Sequence, residues 1–311
     1  MAQIAAAPSG RQPLRRPSLT ARRSRRVSIF LVLPAVAFTA FFLVIPVIQT
    51  FGLSLFKWDG LTNPDFVGFG QFTKVFSDPV FAIALRNNGL FAVLVTVLTV
   101  GIGLYFALIL NQRVRFWRMY RFIYYLPNIL PATIIAIMWA NAFDPNYGWL
   151  NSWLEAIFGS HASGLLSNPN TAIYVVCFAA IWQVSGFPMI MILGGLQSVP
   201  PELGEAARID GAGFWRTAVS INIPLTKDVI ATVTLLQLIF SFKVFDLVQA
   251  LTRGGPADST QVFGTLIYRD AFQNGDFGYA SAVATVATIL IVAVSLLYLR
   301  ILRPGRIEKA G

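Results

Sequence analysis

The sequence predicts an all-α protein, an integral membrane helical bundle of six transmembrane helices. Three observations carry that expectation. The chain is 56% hydrophobic and 12% charged over 311 residues, about half the charge of a typical soluble domain. Six apolar stretches are long enough to cross a bilayer, which takes roughly 20 residues. Lys and Arg fall mostly in alternate loops, as they do in membrane proteins.

Residues 1–26 come first. They hold seven arginines and no acid, among Pro, Ser and Ala, and read as a disordered basic cytoplasmic tail. Arg22-Arg23 looks like a twin-arginine signal only superficially. The run from Val27 to Phe56 is uncharged, long for a signal core, and lacks a small-x-small cleavage pattern. It reads as an uncleaved first span. A membrane domain over 27–303 then holds spans at about 27–50, 89–111, 122–143, 171–196, 229–251 and 279–299, and 304–311 is a second cytoplasmic tail. Pro34, Pro46, Pro127, Pro131 and Pro188 fall within or at the ends of these spans, where neighbouring helices or a water-lined path must satisfy the freed backbone groups. Gly101/Gly103 and Gly194/Gly195 offer either close helix packing or flexibility.

Charge sets the orientation. The first tail, the 112–121 loop, the 197–228 loop and the last tail hold eighteen Lys and Arg. Loops 53–86, 144–171 and 252–276 hold five. Both termini and the 197–228 loop are therefore expected on the cytoplasmic side of the membrane. Net charge is +10, but the arginine tail lacks the aromatic interleaving that base stacking wants, so no nucleic-acid partner is expected. The one cysteine, Cys177, lies in an apolar stretch, and the one histidine, His161, sits beside Ser160 and Ser163. Neither supports a disulfide framework or a metal site.

The most polar helical segment is Glu202–Pro224. It follows Ser198-Val199-Pro200-Pro201, which reads as a helix start with a hydroxyl cap. Glu202 and Glu205 favour the first turns, and Arg208 follows Glu205 by three. Gly211 breaks the run before a second helix carrying Phe214, Trp215 and Val219, and Pro224 is expected to stop it. Helix, glycine turn, helix is the expectation, with Ala206 and Ala207 small enough for another surface to approach.

The spacing Glu205-Ala206-Ala207, three residues, Gly211, nine residues, Ile221, one residue, Ile223-Pro224 resembles the EAA loop of permease subunits of bacterial ABC importers. Ile223 stands where Leu is usual. Arg208-Ile209-Asp210-Gly211-Ala212 is similar to the carbohydrate branch. Leu251-Thr252-Arg253-Gly254-Gly255-Pro256 resembles the Gly-Gly-Pro turn of sugar-importer permeases, and Phe277-Gly278-Tyr279-Ala280-Ser281-Ala282 the start of their last span. Leu33-Pro34-Ala35, Trp58-Asp59-Gly60 and Phe66-Val67-Gly68-Phe69 are similar to the subunit type whose extra first helix wraps its partner. The resemblance runs from about 27 to 303 and implies a type I ABC importer permease fold. It also implies that Glu205, Ala206, Ala207, Asp210, Gly211 and Pro224 couple to an ATPase.

No chemistry of its own is visible in the chain. The five lysines at 57, 74, 227, 243 and 309 are each preceded by something other than Gly, so no P-loop is encoded and ATP would be hydrolysed by a partner subunit. HExxH, a cysteine pair and a serine elbow in a strand-turn-helix context are all missing. The chain is expected to bind no cofactor and not to be an enzyme.

A transport path has candidates. Thr234, Gln237 and Ser241 fall at i, i+3, i+7 on an apolar helix, and such a polar stripe must face a partner or water. It is either a sugar-contacting wall or a set of interhelical hydrogen bonds. Aligned on the EAA motif, Gln237 and Ser241 fall where maltose-type permeases contact sugar. Trp182, Gln183 and Phe187 precede Pro188, where Gly186 and the proline suggest a mid-membrane helix break; packing is the other reading of the two aromatics. Lys243 and Asp246 form an opposite-charge pair near the outer end of the fifth span, expected to neutralise each other.

The resemblance implies a second related permease, two copies of a cytoplasmic ATPase and an extracytoplasmic solute-binding protein, with lipid around the whole. An ion-coupled secondary transporter is the alternative. It would work without an ATPase and would need an intramembrane carboxylate, for which Asp246 is the one candidate.

Overall fold

A computed structural model describes residues 32–112, 114–158 and 164–301. The basic tail 1–26, His161 and the tail 304–311 lie outside the described residues. The chain divides into two units, 1–49 and 50–311. The first holds most of helix α1 (Val32–Leu53), whose mean hydropathy is 2.2 and which has no buried side chain. Such a helix is stable only in lipid or against another chain. A π turn at Ala40–Val44 comes just before Pro46, and another at Ala218–Asn222 comes just before Pro224. The widened turn gives the proline ring room beside the carbonyl four residues back.

In the second unit a short hairpin pairs β1 (Phe56–Lys57) with β2 (Asp65–Phe66), Phe56 opposite Phe66. Helix α2 (Gly70–Ser77) follows, and Asp78 accepts from the Val80 N–H to cap α3 (Pro79–Asn111). The second span thus starts ten residues before the expected Gly89. Arg86, Asn87 and Asn88 interrupt the apolar pattern there, yet both asparagines are buried. Asn87 donates to the carbonyls of Ser259 and Gln261, each at 2.8 Å. Asn88 donates to the Phe242 carbonyl at 3.0 Å and accepts from the Phe263 N–H at 2.8 Å. Partners more than 150 residues away make these polar groups tolerable.

Where the third span is expected, α4 (Trp117–Ile129) and α5 (Ala132–Ala142) form a pair bent by 95°. Pro131 at the break donates no N–H, and Gln183 reaches the exposed carbonyl of Leu130 at 3.4 Å. Helix α6 (Trp149–Phe158) lies in the next loop. The fourth span, α7 (Ala172–Leu196), runs through Gly186 and Pro188 without a sharp bend. The expected break there is present as a one-residue interruption at Ser185, between Val184 and Gly186. Ser185 keeps helical angles of φ −64, ψ −20. Gly186 allows close approach, since a Cβ on it would lie 2.8 Å from the Tyr124 carbonyl. Gly103 does the same against Pro188 and Gly195 against Val229, while Gly101 and Gly194 face open space.

Helices α8 (Pro201–Ile209) and α9 (Phe214–Leu225) form the next connection. Helix α10 (Lys227–Phe242) leaves α9 at a 74° bend. It ends nine residues before the expected Leu251, and α11 (Asp246–Leu251) is a separate short helix packed on α5. Lys243 closes α10 and Asp246 opens α11. Among the described residues no ion pair joins them, and neither sits inside a span; the expected neutral pair is corrected because the chain turns between them. After α12 (Phe263–Tyr268), a π turn at Arg269–Gln273 leads to α13 (Phe277–Ile301).

Lipid tails are as apolar as Leu, so close packing and hydrogen bonds hold these helices together more than water exclusion does. Two of the buried clusters show the packing. One gathers Phe91, Ile135, Trp139, Val176 and Val248. Another gathers Met189, Ile192, Leu196 and Val233 around α7 and α10.

Candidate functional site

The α8–α9 connection has the expected helix, glycine turn, helix form. Pro201 opens α8, Glu202 lies in its first turn and Arg208 in its last, as the helix dipole prefers. Pro200, not Ser198, is the N-cap. The Ser198 hydroxyl instead donates to the Gly195 carbonyl at 2.6 Å, at the end of α7.

The helix closes with two paired bonds. Ala212 N–H reaches the Ala207 carbonyl at 2.8 Å and Gly211 N–H reaches the Arg208 carbonyl at 3.0 Å. This Schellman pattern needs a left-handed residue between them, and Gly211 has φ +76. Its glycine is thus dictated by backbone geometry. Pro224 does not stop α9: it lies inside the last turn after the π turn, and the chain bends one residue past Leu225, at Thr226.

Ala207 is buried, whereas Glu205, Ala206, Arg208 and Asp210 are exposed. Among the described residues none of Glu202, Glu205, Arg208 and Asp210 makes a salt bridge or a side-chain hydrogen bond. Apolar side chains stand beside them: Ile209 is 87% exposed and Trp215 58%. A cleft of about 280 Å³ runs along the same segment, lined by Gly204, Glu205, Arg208, Phe214 and Asn222 together with Gln112. A surface that mixes unpaired charge with exposed Ile and Trp is suited to docking.

The five path candidates are not gathered around one cavity. Gln237 is 2% exposed and donates to the Thr99 hydroxyl of α3 at 2.9 Å. Ser241 lies 3.2 Å from the Thr96 hydroxyl, one turn further along both helices. Thr234 bonds its own helix at the Ile230 carbonyl. Trp182 is half-buried, edge-on to Trp139 at 5.5 Å, and Phe187 meets Phe240 at 6.1 Å. The residues that sequence reasoning missed are Thr96 and Thr99, which complete the polar contact from α3. Their spacing of three was the available signal.

Residues 99–308 match the family described as binding-protein-dependent transport system inner membrane component. The chain belongs to that family and is an ABC transporter permease subunit of the type I fold. The probable ABC transporter permease protein YurN of Bacillus subtilis is 36% identical over 90% of this chain and 97% of its own length. The diacetylchitobiose uptake system permease protein NgcF of Streptomyces coelicolor is 34% identical over 94% of this chain and 90% of its own. The fold is similar to a chain of a bacterial ABC transporter involved in the import of the polysaccharide alginate. The TM-score is 0.79 at 24% identity, covering 93% of this chain and 98% of that one.

Proposed function

We propose that this chain forms half of the translocation path of an ATP-driven importer for a carbohydrate, and that Glu205, Ala206, Ala207, Asp210, Gly211 and Pro224 couple it to a separate ATPase. The observation that carries the coupling reading is the α8–α9 surface, with its charges unpaired and Ile209 and Trp215 exposed. Two cytoplasmic ATPase copies, a second permease and an extracytoplasmic binding protein complete the complex, and both termini face the cytoplasm with this loop. Relatives that transport diacetylchitobiose, trehalose and maltose, or multiple sugars support a carbohydrate.

The geometry supplies a lever. Helix α9 meets α10 at the Thr226 bend, so a displacement of the docked loop passes to α10. Helix α10 is tied to α3 at Gln237–Thr99 and Ser241–Thr96, and to α7 where Val229 meets Gly195. Movement of the loop therefore shifts three spans together. Trp182, Gln183 and Phe187, all half-buried in the single chain, are the side chains offered to the path, while Gln237 and Ser241 hold its wall.

The one carboxylate candidate of the ion-coupled alternative, Asp246, starts α11 and does not lie within α10. The test is substrate-stimulated ATPase activity of the assembled complex carrying Glu205→Lys or Gly211→Pro. Normal complex recovery with lost stimulation is expected; normal stimulation in both variants would remove the coupling role.

A further inference from the structure

A pocket of about 350 Å³ opens where α3 and α7 begin. The far ends of the same two helices, at Asn111 and Leu196, line the cleft beside α8–α9. Three segments wall the pocket: α3 through Ile83, Arg86 and Asn87, the entry to α7 through Asn170 and Tyr174, and the turn before α12 through Ser259. A volume of this size with a few polar groups set among apolar ones is the make-up of a small-molecule site.

The polar groups of this lining leave bonds unmade. Asn87 is 4% exposed, and its amide nitrogen donates to the carbonyls of both Ser259 and Gln261. Its Oδ1 accepts no hydrogen bond among the described residues, so a buried acceptor is left for a donor from outside the chain. The Ser259 hydroxyl is buried and also has no partner among the described residues. Arg86 is exposed and pairs with no carboxylate among the described residues. The side chains of Asn170 and Tyr174 are exposed as well and make no hydrogen bond among them.

This set of groups selects the chemistry of an occupant. A hydrocarbon chain leaves every one of them unpaired. A simple anion brings acceptors for Arg86 but no donor for Asn87 Oδ1, and a cation meets the Arg86 guanidinium. Hydroxyl groups both donate and accept, which answers the two needs together. Tyr174, 49% exposed, adds an aromatic side chain of the kind that borders small-molecule sites.

We infer that this pocket is a saccharide subsite, separate from the path at Trp182, Gln183 and Phe187. One sugar ring lies against Tyr174, a hydroxyl donates to Asn87 Oδ1, and neighbouring hydroxyls accept from Arg86 and Asn170. The inference rests on the carbohydrate reading of the substrate and adds a place where this chain holds a sugar.

The test is equilibrium dialysis of the complete importer, without its solute-binding protein, against labelled maltose, trehalose and diacetylchitobiose. Uptake of the same sugars is measured in vesicles that also hold the binding protein. A sugar that is taken up is expected to bind. Arg86→Gln should weaken that binding about tenfold and Asn170→Ala about threefold, as lost charged and neutral hydrogen bonds do. Both replace exposed side chains, so folding is not at stake. Ile83→Trp, which fills the pocket, should abolish binding. A sugar that is taken up but does not bind, the pocket then holding water only, overturns the subsite and leaves the carbohydrate reading standing. So does binding that all three variants leave unchanged, which would put the sugar elsewhere in the complex. Uptake of none of the three sugars by the wild type removes the carbohydrate reading and this inference with it.

Discussion

The connection from α7 to α10 and the turns from α10 to α13 sit at opposite ends of the bundle and treat charge in opposite ways. In the first, Glu202, Glu205, Arg208 and Asp210 reach no partner within the chain. In the second, charged and polar groups close on one another. Lys74 on α2 meets Asp276 at 2.6 Å, and Arg269 meets Asp258 at 2.9 Å. Tyr279 donates to Asp78, the residue that caps α3. The Thr252 and Thr260 hydroxyls lie 2.7 Å apart beside the Gly254-Gly255-Pro256 turn, and Thr260 also donates to the Gly255 carbonyl. Asp276 thereby ties residues near the start of the chain to the start of the last span. One end pairs most of its buried charge within the chain, leaving Arg269 Nε, Asp270 Oδ2 and the Ser259 hydroxyl without a hydrogen-bond partner among the described residues, and the other leaves its charged side chains exposed and unpaired.

If this contrast is right, the largest functional effect comes from the open end. Gly211→Pro forbids the left-handed angle and removes the N–H that closes α8. Substrate-stimulated ATPase activity of the assembled complex should fall more than tenfold while its melting temperature changes little. A large loss of melting temperature with stimulation retained would mean that the turn is a stability element, like the opposite end.

The largest stability effect should come from the paired end, at Asn88. Asn88→Leu leaves the Phe242 carbonyl and the Phe263 N–H unpaired, at about 1–3 kcal/mol for each buried group left unsatisfied. Thermal unfolding of the purified complex should shift down measurably, with coupling unaffected in the molecules that remain folded. An unchanged melting temperature would show that water replaces the amide.

Gln237→Ala separates wall from path. The interhelical bond to Thr99 is worth about 0.6 kcal/mol on average in membrane proteins, so assembly and stability should weaken slightly and uptake affinity should hold. A two- to tenfold loss of uptake affinity, about 0.5–1.5 kcal/mol, with normal stability would return Gln237 to the sugar-contacting role.

The smallest effects concern pH in the loops that hold Asp59 and Asp270. Asp59 accepts from Leu61 N–H, Thr62 N–H and the Thr62 hydroxyl. The Thr62 and Leu61 backbone bonds, in that order, hold its carboxyl down at about 2. Its contribution is present above 3.8 and is lost as pH falls through about 2. Burial pushes the Asp270 carboxyl the other way, upward. The folded protein then holds more protons than the unfolded chain above 3.8, so its stability declines as pH rises through the raised value. Asp270→Asn should flatten that slope, and Asp59→Asn should remove the acid-side loss. Trp58 fluorescence, next to Asp59, reports the second change; an unaltered profile in either variant would exclude that group.

Local signals in the sequence determined much of this. Apolar length gave the expectation of six spans, and among the described residues four helices are long and apolar enough to cross a membrane, or up to six if each bent pair is one span; the residues at 205–211 gave a helix ending at a glycine whose left-handed angle the structure then required. Both depend on neighbours within a few turns, which a linear reading sees. What the tertiary structure alone decided depends on partners far along the chain. Asn87 and Asn88 looked like the end of an apolar run until Gln261, Phe242 and Phe263 satisfied them, which is why α3 begins at Pro79. Gly186 and Pro188 looked like a break, and α7 is interrupted there for one residue at Ser185 without a sharp bend; the sharp bend falls at Pro131, where Gln183 can reach the Leu130 carbonyl. Gln237 and Ser241 were legible as an inward stripe, because a polar face in an apolar helix must point away from lipid. Whether it met a sugar or another helix depended on Thr96 and Thr99, and only the packing of α3 against α10 brings those hydroxyls within bonding distance.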